Sequence, residues 1–294
     1  MESPPAIQTP LPTRAAWPAR PAPRVPARAL SLVHPGPSVL VTACFVAAWG
    51  AARRSVPDPG TALRLAAVML PIQFAIGALN DLCDRDLDRL GAKPKPLVDG
   101  TLGPAAAVLV SVLGFGLGVG MAASFPLPTL PLAVLAAAAG ASYDLGLKRG
   151  RLSWLPWWIG FTSLPLLAWA AAGQPEPRLL AAAPPLALAL SFSLQLANAL
   201  PDIAGDRRAG SGGLAIRLGW RATRRLALGL SGLAAAAAVL GAPLLGQDLA
   251  LVVGGAVPLL AGAVVLGLRP AWRHFPILAV GAAILAATWL IALG

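Results

Sequence analysis

The chain has 294 residues, a formal net charge of +11, 57% apolar residues and only 12% charged ones. No single soluble core can hide that much apolar surface, so the balance excludes a soluble domain and marks a polytopic membrane protein. Lys and Arg are spread over short joints between apolar stretches, with no nucleic-acid module beside them, so the charge does not point to nucleic acid.

Residues 1–30 are rich in Pro and Ala and carry Arg14, Arg20, Arg24 and Arg28. They lack the continuous apolar run of a secretory signal and are expected to form a disordered cytoplasmic tail. Residues 31–294 are expected to be one membrane domain. Its nine apolar spans fall at about 32–52, 61–82, 103–124, 127–144, 153–173, 179–200, 223–241, 247–267 and 274–293. Each is close to the roughly 20 residues a helix needs to cross about 30 Å of hydrocarbon. The expected fold class is therefore all-α, a bundle of about nine transmembrane helices. With the N-terminus in the cytoplasm, 19 of the 23 Lys and Arg fall on the cytoplasmic side,. Only Arg53, Arg54, Arg64 and Arg178 lie opposite, where the C-terminus is also expected. The two cysteines, Cys44 and Cys83, supply neither a disulfide framework nor zinc spacing,.

Against this background, six of the 12 Asp and Glu crowd into two stretches. Asn80-Asp81-Leu82-Cys83-Asp84-Arg85-Asp86-Leu87-Asp88 follows span two, and Asn198-Ala199-Leu200-Pro201-Asp202-Ile203-Ala204-Gly205-Asp206 follows span six. Both fall on the cytoplasmic side. Carboxylates beside a bilayer are costly unless paired, solvated or bound to a cation. On a continuous helix Asp81, Asp84 and Asp88 share one face, with Asp86 off it, solvated or paired with an Arg. Asn198, Asp202 and Asp206 likewise share one face. Stacked carboxylates repel each other, and a divalent cation reverses that. Mg²⁺ suits such donors because it takes hard oxygen ligands and is often completed by substrate phosphates.

Basic residues stand close by in sequence: Lys93 and Lys95 after the first cluster, Lys148, Arg149 and Arg151 after span four, Arg207 and Arg208 after the second cluster. Lys95 and Lys148 are the best placed to offset the charge of a departing diphosphate. Pro201 is expected to end or kink span six. Trp154, Trp157 and Trp158 suit an interfacial belt. The segments Ala78–Asp81 and Ala199–Asp202 are faintly alike, which is compatible with an internal duplication.

Several of these segments together resemble the UbiA-type intramembrane prenyltransferases. Asn80-Asp81-x-x-Asp84-x-x-x-Asp88 is similar to the family's NDxxDxxxD motif. Lys95-Pro96-Leu97 with Gly100 resembles its RPLxxG element, and Tyr143 through Lys148 its YxxxLK element. Asp202 through Gly210, continuing from Leu214 to Gly219, resembles the second DxxxD motif and the pattern after it. The resemblance implies helices enclosing a cavity open toward the membrane, with two Mg²⁺ ions holding the diphosphate of an isoprenyl donor. It makes Asn80, Asp81, Asp84 and Asp88 ligands of the first ion, and Asp202 and Asp206, with Asn198 in the family's acidic position, ligands of the second. Lys95, Lys148 and Arg149 would contact the diphosphate, and Tyr143 would position it or steady the allylic cation. Three positions depart from the pattern. Lys95 stands where many members carry Arg, Asn198 where some carry Asp, and Gly212-Gly213 where a polar pair is usual, which would loosen that loop.

The expected enzyme is thus a Mg²⁺-dependent prenyltransferase of the plasma (inner) membrane with its site toward the cytoplasm. Its partners are a prenyl diphosphate donor, membrane lipid and an electron-rich lipophilic acceptor, aromatic or a quinone precursor. A terpene cyclase on the same scaffold and an ion-coupled transporter are the alternatives.

Overall fold

The computed structural model describes residues 29–89, 95–174, 176–208, 212–266 and 274–294, with the backbone alone described at Arg208, Val265, Leu266 and His274. All of the expected tail except Ala29 and Leu30 lies outside these residues, as do Lys93 and Gly210.

Nine long helices account for most of the described chain: α1 (Pro35–Arg53), α2 (Pro59–Cys83), α3 (Pro104–Ala122), α4 (Thr129–Leu145), α5 (Trp154–Ala172), α6 (Pro177–Ala199), α7 (Leu214–Gly241), α8 (Leu249–Leu266) and α9 (His274–Leu293). Seven of them are long and apolar enough to cross a membrane. The other two, Thr129–Leu145 and the fully described part of α8, Leu249–Val264, are apolar but shorter. The starts of α2 and α6 follow ordinary capping chemistry. Asp58 accepts from the Gly60 and Thr61 amides ahead of Pro59, and Glu176 accepts from the Arg178 amide ahead of Pro177,.

Eight of the nine helices lie within a few residues of their expected spans. The seventh starts early, at Leu214 rather than about residue 223, because Arg217, Arg221, Arg224 and Arg225 mask its first turns from a hydropathy reading. It is also broken: Gly219 has φ 75° and ψ 164°, a backbone that favours glycine, so a short turn precedes the long run,.

Helices consecutive in the chain pack side by side, and α9 returns onto α1 to close the ring, with α1 also touching α5, and α6 touching α9. The closest pairing joins α2 and α3. Ala107, Ser111, Gly114, Gly118 and Ala122 form one buried stripe of small residues on α3. A Cβ at Gly114 would lie 2.5 Å from the Pro71 carbonyl oxygen, and one at Gly118 equally close to that of Val68. Small residues spaced this way let two membrane helices approach to backbone contact. An apolar groove of about 400 Å³ opens on the flank between α3 and α4, lined by Phe115, Val119, Val134 and Ala138 among others.

Candidate active site

Helices consecutive in the chain run in opposite directions, so the chain leaves α2, α4 and α6 at one end of the bundle. All three of these joints carry charged residues, and the structure draws them together.

The first acidic stretch is not one helix. α2 stops at Cys83, Asp84 takes φ −97° and ψ 3°, and a separate short helix spans Arg85–Asp88. The expected continuous helix carrying Asp81, Asp84 and Asp88 is therefore interrupted by a corner: Asp81 and Asp88 still meet at Lys95, while Asp84 turns to Lys148. Lys95 Nζ lies 2.5 Å from Asp81 Oδ1 and 3.3 Å from Asp88 Oδ2. Lys148 Nζ lies 2.8 Å from Asp84 Oδ2 and 3.4 Å from Asp144 Oδ1. Arg149 is 3.7 Å from Asp84 and donates to the Cys83 carbonyl. Asp86 points away, exposed, and pairs with Arg89 as expected.

Two loops hold this arrangement in place. Leu97 is buried with Leu32, Ala78 and Ala107, and Arg85 Nε donates to its carbonyl, so the Lys95–Leu97 turn is pinned to α2. Gly100 ends that turn with φ 79°, which accounts for glycine at that position,. Opposite, Lys148 and Arg149 sit on a short 3₁₀ turn after α4. The backbone of Gly212 and Gly213 lies against the carbonyls of Arg149 and Lys148, at 3.6 and 3.4 Å from the position of a Cβ. The glycine pair thus does not merely loosen its loop. It is where the chain after the second cluster meets the lysine turn.

The second stretch is also broken, as Pro201 led one to expect. α6 stops at Ala199, Pro201 and Asp202 form a turn, and Ile203–Arg208 is a separate short helix. The common face expected for Asn198, Asp202 and Asp206 does not survive that turn. Asn198 and Asp202 are exposed and Asp206 is half-buried. Asp206 lies within electrostatic range of the first cluster. Burial pushes its carboxyl above the usual carboxylate range, the negative charges of Asp202 and Asp84 add to that, and Lys148 opposes them,. Burial likewise raises Asp88 against the pull of Lys95. Burial would lower the Lys95 ammonium, but its bonds to Asp81 and Asp88 carry it above the ordinary lysine value.

Two members of the site were not singled out from the sequence. His34 Nε2 lies 3.0 Å from Asp81 Oδ1, presented by a residue in the left-handed region (φ 46°) whose segment packs against Gly77. An ionised carboxylate only accepts, so Nε2 is the donor. Asp144 accepts from Asn80 Nδ2 at 2.8 Å. It stands four residues before Lys148, a spacing that pairs charges on a helix and was visible in the sequence; nothing local marks His34. Tyr143 meets Trp157 edge-on, with ring centroids 6.1 Å apart, and Trp157 also packs on Phe161 and Phe275. Trp158 donates to the Pro184 carbonyl. Trp157 and Trp158 therefore make contacts within the bundle, beyond the interfacial belt expected of them. Among the described residues no three His, Cys, Asp or Glu side chains lie close enough to hold an ion by themselves, with Lys95 and Lys148 lying between the acids.

Ring and site together define a membrane-embedded helical enzyme with facing carboxylates and ammoniums at one end of its bundle. The profile of the UbiA prenyltransferase family matches residues 39–276, and the chain belongs to that family. No curated protein matches the sequence. Several solved structures share the fold. A digeranylgeranylglyceryl phosphate synthase aligns with a TM-score of 0.68 at 18% identity over 92% of this chain and 98% of its own. A UbiA homologue from Aeropyrum pernix K1 gives 0.66 at 22% identity over 86% and 94%. One from Archaeoglobus fulgidus, bound to DMAPP and Mg²⁺, gives 0.68 at 17% identity over 90% and 99%.

Proposed function

We propose that this prenyltransferase moves an isoprenyl group from a prenyl diphosphate to an electron-rich lipophilic acceptor, aromatic or a quinone precursor, with Mg²⁺ holding the diphosphate. The observation that carries the reading is that Asp206, from the joint after α6, lies within electrostatic range of Asp84 and Lys148, which pair across the joints after α2 and α4. Carboxylates interleaved with ammoniums suit a metal diphosphate, which needs oxygen ligands for its cations and cations for its oxygens.

The residues fit a hard divalent cation. All the candidate donors are oxygens, and Asp81 Oδ2 and Asp144 Oδ2 are buried without a hydrogen-bond partner among the described residues. Asn80, Asp81, Asp84 and Asp88 would hold one ion, and Asp202 and Asp206, with Asn198 nearby, a second. When bound, Mg²⁺ neutralises the diphosphate and eases its departure. Lys95, Lys148 and Arg149 take its oxygens by charge and hydrogen bond. The bond from carbon 1 of the isoprenyl chain to oxygen breaks, and the electron pair leaves with diphosphate. The acceptor's electron pair closes on the allylic cation and the acceptor loses a proton. The electron-rich faces of Tyr143 and Trp157 suit the neighbourhood of that cation. The site lies at the end of the bundle bearing most of the Lys and Arg, which supports a cytoplasmic orientation. Placement at one end also favours an enzyme over an ion-coupled transporter, whose acids belong near the midplane.

The test is a reconstituted assay with geranyl diphosphate, pooled quinone-precursor and aromatic acceptors, and mass spectrometry. A Mg²⁺-dependent prenylated acceptor, lost on chelation and restored by Mg²⁺, is the expected result. A hydrocarbon or alcohol formed from the donor alone would mean a cyclase, and no Mg²⁺-dependent diphosphate release would defeat the reading.

A further inference from the structure

Asp144 belongs to neither carboxylate motif, yet it stands among the residues of the first. It follows Tyr143 on the last turn of α4 and is 2% exposed. Asn80 Nδ2 donates to its Oδ1 at 2.8 Å, and Lys148 Nζ lies 3.4 Å from the same oxygen. Its Oδ2 is buried with no hydrogen-bond partner among the described residues. Lys148 ties it in turn to Asp84, so Asp84 and Asp144 flank one ammonium and Asn80 joins them through Asp144.

A carboxamide has two chemically different sides. The nitrogen only donates, and the oxygen accepts or binds a hard cation. The two orientations of an Asn amide differ little in shape, so its surroundings must choose between them. Here the choice is forced, because an ionised carboxylate accepts and never donates. With Nδ2 held by Asp144, Oδ1 faces the other way. Asn80 also lies one turn before Asp84, on the same side of the chain as it leaves α2.

We propose that Asp144 is a positioning residue for Asn80, fixing its carboxamide so that Oδ1 is presented as a metal ligand. A residue outside both motifs then sets the metal affinity of the first. The proposal rests on the Mg²⁺ reading above. Partners that orient a ligand commonly change metal affinity by about 10–100-fold. The competing role is a plain counter-charge for Lys148, which makes a different prediction. It requires the charge of residue 144 and is indifferent to Asn80.

Mn²⁺ binding, followed by electron paramagnetic resonance on the purified full chain without substrate, separates the two. Asp144→Ala should weaken Mn²⁺ by about 10–100-fold. Asp144→Asn keeps an acceptor oxygen for the Asn80 amide and should stay within about threefold of the parent. In an Asn80→Ala background there is no amide to orient, so Asp144→Ala should add less than about threefold. An Asp144→Ala protein that binds Mn²⁺ normally, or one that loses the same factor with and without Asn80, overturns the proposal. If Asp144→Ala does not fold, Asp144→Asn decides alone: parent-like affinity supports positioning and a tenfold loss refutes it. A parent protein that binds no Mn²⁺ would defeat the metal reading, and this inference with it. One that binds Mn²⁺ regardless of residue 144 defeats only the inference.

Discussion

The two acidic stretches occupy equivalent joints yet are built differently. In the first, Asp81 is almost wholly buried and held by Lys95 and His34, while Asp84 shares Lys148 with Asp144. In the second, Asn198 and Asp202 are exposed, and among the described residues no ion pair reaches Asp202 or Asp206. The first is therefore a structural element as well as a candidate site, since buried charges must be paired for the chain to fold. The second is a set of acids whose mutual repulsion is opposed by Lys148 but not relieved by a direct ion pair among the described residues.

Substitutions in the two stretches should therefore behave differently. Asp81→Asn should cut turnover by at least about a hundredfold and also lower the melting temperature, because Lys95 and His34 lose a buried carboxylate. Lys148→Met should be the most damaging to stability, about 3–5 kcal/mol, because it leaves the buried Asp144 with no counter-charge and Asp84 with only the longer Arg149 contact,. Thermal unfolding in detergent checks both. Asp206→Asn should lower turnover about as much as Asp81→Asn yet leave the melting temperature unchanged or slightly raised. The sign follows from its raised pKa: the folded protein disfavours the Asp206 anion, so removing that charge relieves the cost of its burial and then the repulsion from Asp202 and Asp84,. A marked loss of stability in Asp206→Asn would erase the distinction between the stretches. Away from the site, Gly118→Leu should cost about 1–3 kcal/mol by forcing α2 and α3 apart. His34→Ala should have the smallest effect, about 1 kcal/mol and a few-fold in turnover, since Lys95 still holds Asp81.

Much of this could be read from the sequence, and the misses share a cause. Apolar run length located eight helices closely, and scarcity of acids made both stretches conspicuous. Lys95 followed from its proximity to the first stretch, and Lys148 from its place after span four in an element resembling YxxxLK. The helical faces assigned to the acids assumed a continuous helix, whereas each stretch turns a corner, at Asp84 and at Pro201–Asp202; Asp81 and Asp88 still meet at Lys95. His34 lies 47 residues from Asp81, and Asp144 lies 64 from Asn80. Contacts at that separation depend on where helices end and which neighbours share an end of the ring. The break at Gly219 escaped a hydropathy reading because it concerns backbone angle alone.

The central claim is that the two stretches act on one diphosphate. It is tested most directly by diphosphate release from geranyl diphosphate with Asp84→Asn, Asp206→Asn and the double variant. Residues acting on a single leaving group are strongly non-additive. Each single variant should lose most of the activity, and the double should lose little more than the worse of the two. Losses that multiply, or full turnover in Asp206→Asn, would contradict a shared site.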